Sequence, residues 1–171
     1  MPPWPRGLAE GATPLLLDTT VLSNFVKVGR FDLLRRVFPV TLCIAAQVYD
    51  ELKAGDLDSA VLEGVAAAWL RLVAPESERE VSLYREYSQN LGAGESASLA
   101  IAICRLWALA TDDRVARQAA RTAGVPLTGS VGILIAAVQA NLLTRAEGET
   151  LLRDMRRQGF HFPVSNLDGL L

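Results

Sequence analysis

Short apolar runs alternate with longer stretches of helical spacing along most of the chain. The apolar runs, bounded by turn residues, predict strands over 14–18, 39–43, 69–73, 107–111, 125–128 and 160–164. Between them, apolar positions recur every three or four residues. This spacing predicts helices over 19–37 (broken at Gly29), 45–66, 76–90, 94–105, 112–123, 130–141 and 144–158. Gly55, Gly92, Gly94, Gly124 and Gly159 fall where those helices should start or stop. Strands alternating with helices predict a single α/β domain with a central parallel sheet flanked by helices on both faces. The domain is expected over 14–171, after a loose Pro/Gly-rich lead-in at 1–13, "MPPWPRGLAEGAT".

Composition narrows this picture. The chain has 171 residues, half of them hydrophobic and only 6% aromatic, which suits one domain filled with Ala, Leu and Val. The longest apolar stretches, "LAIAICRLWALA" and "VGILIAAVQANLL", are too short to span a bilayer, so no membrane role is expected. Cys43 and Cys104 lie far apart without a CxxC or Cys/His grouping and read as buried free thiols, which suits a cytoplasmic protein. The net charge of −2 proposes no nucleic-acid partner, and any such partner must be argued from local charge.

The candidate chemistry is acidic. In "PLLLDTTVLSNF", Asp18 ends the first strand, where it can cap the following helix or face a ligand at the carboxyl edge of the sheet. Glu51 shares a helix side with Val48 and Leu52 and so borders an apolar face, whereas Asp50 points elsewhere. Glu95 opens the helix "GESASLAIAICRLW", whose next two turns are apolar all round, behind Gly92 and Gly94, which permit close backbone approach. Asp112 and Asp113 follow a strand, and Asp112 is again a candidate cap. Two parallel strands delivering carboxylates to one sheet edge is a coincidence that capping does not explain. Clustered acids need raised pKa values or a compensating cation, and an oxygen-only donor set suits Mg²⁺ or Mn²⁺. Such ions serve metal-dependent phosphodiester hydrolysis.

In order, "LLLDTTVLSNF", "VYDEL", "LGAGESASLAIA" and "LATDDRVARQAA" resemble the motifs of the PIN-domain family. The segments "VPLTGSVGILIAAVQANLLT" and "GFHFPVSNLDGLL" are similar to a PIN-like subgroup long of unknown function. The resemblance runs from about Pro14 to the C-terminus. It implies an acidic Mg²⁺ or Mn²⁺ site built from Asp18, Glu51, Glu95 and Asp112, with Asp113 as a supporting ligand. It further implies a ribonuclease acting on RNA, of the VapC toxin type, inhibited by a cognate antitoxin and commonly a homodimer. Toxin-type members usually carry Asp where this chain has Glu95, which moves that carboxylate by about one methylene. Ser23 and Asn24 match the polar positions after the first acid, making Asn24 a substrate-binding candidate. Ser130 could present its hydroxyl or its helix N-terminus to phosphate or metal, or act as a plain cap.

RNA needs local positive charge. Candidates are Lys27, Arg30, Arg35 and Arg36, and a stripe of Arg114, Arg117 and Arg121 on the helix after the fourth acid. Arg153, Arg156 and Arg157 read as surface charge, and His161 as an ordinary strand residue. Trp69 and Trp107, next to predicted strands, read as core. The competing reading is a PIN-fold module that binds RNA or protein with little cleavage. A phospho-accepting receiver domain expects an acid pair at the first strand and a Lys near the end; here there is one Asp and no Lys after Lys53. A haloacid-dehalogenase-type phosphatase expects Asp-x-Asp, which "DTT" lacks.

Overall fold

A computed structural model of the chain describes residues 13–162, 166 and 167. The lead-in, apart from Thr13, and residues 163–164 of the sixth expected strand lie outside the described residues. Five strands, β1 (Leu15–Leu17), β2 (Leu42–Ala45), β3 (Leu70–Val73), β4 (Ala108–Ala110) and β5 (Leu127–Thr128), form one parallel sheet in the order β3-β2-β1-β4-β5. β1 pairs with both β2 (Leu16 opposite Cys43) and β4 (Leu16 opposite Leu109). The "LLL" of β1 is fully buried because helices cover both sheet faces, so both sides of the strand must be apolar.

Nine helices are present among the described residues: α1 (Thr19–Lys27), α2 (Asp32–Val37), α3 (Ala46–Ala54), α4 (Ser59–Ala66), α5 (Glu78–Tyr87), α6 (Ala93–Arg105), α7 (Arg114–Thr122), α8 (Ser130–Gln139) and α9 (Arg145–Arg157). α6 and α8 are buried on nearly all sides, from Ser96 to Ala102 and from Ile133 to Ala137, as their unbroken apolar character requires. The helix expected over 45–66 is two helices. Gly55 caps α3 and Asp56 takes φ 55°, reversing the chain before α4. The strand expected from residue 39 begins at Leu42, since Pro39 cannot donate to a ladder. Residues 160–162 of the sixth expected strand are not extended into the sheet, because Gly159 (φ +98°) turns the chain after α9. Cys43 is buried and Cys104 half-buried; both are free thiols. Trp69 and Trp107, expected in the core, are half-buried and packed against it. No helix among the described residues is long and apolar enough to cross a membrane.

The strand order reverses direction of travel at β1 and β4: the chain moves outward from β1 to β3, then returns to β4 and moves the other way. In open parallel sheets, the crevice at such a reversal lies outside the carboxyl ends of the two central strands. Here those ends are Asp18 and the Thr111–Asp112–Asp113 run.

Candidate active site

Asp18 leaves β1 with its N–H bonded to the Ala110 carbonyl of β4 (3.0 Å), so the backbone fixes its position. Its Oδ1 accepts from the Thr19 N–H (2.8 Å) and caps α1. Its Oδ2 accepts from the Thr111 hydroxyl (2.6 Å) and the Thr20 hydroxyl (3.2 Å). The side chain is 0% exposed. Burial, only partly opposed by the Thr111 bond and reinforced by the charge of Glu95, pushes the carboxyl up to about 7.

Asp112 follows β4, and its N–H donates to the Thr20 hydroxyl (3.0 Å). Oδ1 accepts from the Ser130 N–H (2.9 Å), while Oδ2 accepts from the Ser130 hydroxyl (2.5 Å) and the Asn24 amide (3.0 Å). Burial raises its pKa despite these donors and the charge of Arg117. Its close seat against the strand-to-helix loop needs Gly129, where a Cβ would lie 2.6 Å from Asp112 Oδ1 and 2.8 Å from Arg117 Nη1. Asp112 does not cap the next helix. Asp113 does, accepting from the Ala116 N–H (2.7 Å).

Glu51 on α3 reaches across to the start of α6, where Oε1 accepts from the Gly94 N–H (2.7 Å) and Oε2 from the Thr19 hydroxyl. A Cβ on Gly94 would lie 2.5 Å from Glu51 Oε2, and one on Gly92 would run into Glu95 Oε2. The two glycines therefore let these carboxylates close onto the α6 entry. Glu95 is half-buried, and burial, then the charges of Glu51 and Asp113, raise its pKa.

These side chains ring a cleft of about 430 Å³ lined by Thr19, Thr20, Ser23, Asn24, Lys27, Glu51, Glu95, Asp112, Asp113, Arg114 and residues 158–161. Asp18 lies beneath this lining rather than in it. The oxygen-only donor set fits a hard divalent cation, because burial holds Asp18, Glu95 and Asp112 above ordinary carboxylate values, with repulsion from neighbouring acids adding to it at Asp18 and Glu95. Among the described residues, no three His, Cys, Asp or Glu side chains are closed into a group that could hold a metal.

The basic residues divide. Lys27 and Arg114 line the acid cleft. Arg35 and Arg36 line a separate hollow of about 610 Å³ beside Phe31 and Trp69, and Arg30 pairs with Asp32 at 3.5 Å. The expected Arg114–Arg117–Arg121 stripe does not form a common surface. The Arg117 guanidinium is instead spent on the Thr111 and Thr128 carbonyls (2.6 and 2.9 Å), tying the ends of β4 and β5 together. Ser130, expected to face phosphate or metal, gives both its N–H and its hydroxyl to Asp112. Asn24, expected to meet substrate, donates to Asp112 and to Ser130 (3.1 Å). Arg156, expected as surface charge, donates to the Phe162 carbonyl at 3.1 Å.

A family model described as a PIN domain (DUF3368) matches residues 14–171, nearly the whole chain. The chain belongs to the PIN-domain family. PIN domains are generally nucleases and typically use divalent metals, in keeping with an acid cleft at the carboxyl edge of a parallel sheet. A search of curated proteins finds no match. Sequence reasoning about this PIN domain passed over Thr19, Thr20 and Thr111, whose hydroxyls hold Asp18 and Glu51. The "DTT" and "TDD" strings already held them, each hydroxyl within two residues of a candidate acid. His161, expected as an ordinary strand residue, lies in the cleft wall.

Proposed function

We propose that this PIN domain is a Mg²⁺- or Mn²⁺-dependent endoribonuclease that hydrolyses RNA phosphodiester bonds. The observation supporting this reading is the convergence of Glu51, Glu95 and Asp112, from three separate elements, on one cleft with Asp18 directly beneath it, burial raising the carboxyl pKa of Asp18, Glu95 and Asp112. Asp18, Glu95, Asp112 and Asp113 are the residues to hold the ion. When bound, it would neutralise phosphate charge and lower the pKa of a coordinated water. The chain's own side chains supply the rest. Glu95, half-buried in the cleft wall, would take the proton of the attacking water as its oxygen bonds phosphorus, and give it to the ribose oxygen whose bond to phosphorus breaks. Asn24 and Ser130 fix Asp112, while Thr19 and the Gly94 N–H fix Glu51. Lys27 and Arg114 receive the phosphate backbone at the cleft.

In the same reading the protein is the cytoplasmic toxin of a type II toxin–antitoxin pair and a homodimer. Glu51, Glu95, Asp112 and Asp113 outnumber Lys27 and Arg114 in the cleft lining, so a basic side chain of a cognate antitoxin is complementary to it.

A second reading is a catalytically weak or inactive PIN-fold module that binds RNA or protein. It is favoured by the complete burial of Asp18 and by the open spacing of the acids. Cleavage of a mixed RNA pool with Mn²⁺ or EDTA, beside Asp18→Asn and Asp112→Asn, separates the two. Hydrolysis expects cutting that requires metal and is lost in both variants. An inert wild type that still retains RNA on a filter favours the binding module.

A further inference from the structure

The chain just past α9 enters the acid cleft, and the hydrolysis described above does not use it. Gly159 (φ +98°) turns the backbone off the helix, and the Phe160 N–H donates to the Met155 carbonyl (3.0 Å), which pins the turn. Phe160 then buries its ring (7% exposed), and Arg156 holds the Phe162 carbonyl. The segment 159–162 is thus anchored at both ends. His161, exposed between these anchors, lines two hollows at once. One is the acid cleft; the other is an adjoining hollow of about 520 Å³ formed with Arg156, Phe160 and Phe162. The Phe160 and Phe162 rings lie nearly parallel, 6.0 Å apart and inclined by 19°.

The two hollows differ in chemistry. The first is lined by carboxylates; the lining of the second holds no carboxylate, three aromatic rings and one guanidinium. An RNA strand presents the same alternation, since the base next to a phosphate is flat, uncharged and apolar on its faces. Aromatic side chains stack any base, and Arg adds a cation–π component. We infer that His161 and Phe162 form a nucleobase subsite for the nucleotide flanking the scissile phosphate. The inference rests on the hydrolysis reading for its substrate. It selects single-stranded RNA, because a base inside a duplex cannot turn a face to these rings.

The test is fluorescence anisotropy of labelled single-stranded U8 and A8 RNA in EDTA, where metal-dependent cleavage is blocked. Wild type is expected to bind both and to bind a blunt duplex more weakly. His161→Ala and Phe162→Leu should each weaken single-strand binding about 5- to 150-fold, and His161→Phe should restore most of it. Where wild type cleaves with Mn²⁺, His161→Ala should also raise KM, with kcat little changed. Loss of Mn²⁺-dependent cleavage in wild type overturns the hydrolysis reading, while the EDTA arm still judges the subsite. Equal binding by wild type and His161→Ala, no single-strand binding at all, or no rescue by His161→Phe overturns the subsite. A basic peptide that binds wild type and His161→Ala alike, with RNA binding absent, assigns the cleft to a protein partner instead.

Discussion

Ser130 donates twice to Asp112, its N–H to one carboxylate oxygen at 2.9 Å and its hydroxyl to the other at 2.5 Å. The first residue of α8 therefore orients the acid at the end of β4, although 18 positions separate them in the chain. Partners that orient a ligand carboxylate typically matter about 10- to 100-fold in metal affinity or activity when removed. Ser130→Ala should lower Mn²⁺-dependent cleavage by that order, while costing about 1 kcal/mol of stability for the lost hydroxyl bond. Single-turnover rates beside a thermal melt check both. Unchanged rates would show that Asp112 needs only the Ser130 N–H and Asn24.

Asp18 makes the metal-free protein sensitive to pH. Its folded pKa of about 7 lies above the ordinary value of 3.8, so between these values the folded state binds more protons than the unfolded state. Stability from this group is fully present below pH 3.8, is lost as pH rises toward 7 and changes little above it. Asp18→Asn should therefore stabilise the metal-free protein more at pH 8 than at pH 5, by up to about 3 kcal/mol on the linkage relation. Urea melts at both pH values measure the difference. Equal shifts at the two values would mean that Asp18 ionises normally.

Gly94 separates folding from chemistry. A Cβ there would lie 2.5 Å from Glu51 Oε2 and 2.9 Å from Thr19 Oγ1, both ends of movable side chains. Ala also gains up to about 1 kcal/mol of helix propensity over Gly. Gly94→Ala should melt close to wild type yet lose at least about tenfold in cleavage, because Glu51 is displaced. Gly124→Ala is the opposite control: φ +71° with nothing within 4 Å predicts lost stability and normal activity.

Far from the cleft, Arg105 bonds Glu80 through Nε at 2.6 Å and lies 5.1 Å over the Trp107 ring, joining α5 to α6. The Arg105 bond and the Glu76 and Ser77 N–H groups outweigh burial and hold Glu80 down at about 2. Stability from Glu80 is thus present above its ordinary value of 4.5 and is lost as pH falls from there toward 2. Arg105→Met would leave a buried carboxylate without its cation, at a cost of about 3 kcal/mol near neutral pH. Calorimetric melts of the variant should show the deficit narrowing in acid.

The parallel sheet with acids at one edge could be read from local signals because "LLLD" and "ALATDD" each end an apolar run on an acid, and that pattern is visible without tertiary knowledge; the strand order could not. Glu51 and Glu95 could be singled out because each interrupts an apolar helix face at its edge. What could not be read depends on distant segments meeting. Asp112 and Asp113 are equally good caps by sequence; the contact with Ser130 draws one away and leaves the cap to the other. Arg117 sits on the expected stripe, but the Thr111 and Thr128 carbonyls at the ends of β4 and β5 draw it inward. His161 reaches the cleft only because Gly159 turns the chain out of α9, and alternating "FHF" resembles a strand until that turn is known.

The central claim is that acids from separate elements act together on one divalent ion. Calorimetric titration of Mn²⁺ into wild type and Glu95→Gln at pH 7.5 tests it most directly. The account predicts a single saturable event in wild type, weakened at least about tenfold in the variant. Identical isotherms for the two proteins, or no heat from either, would contradict it.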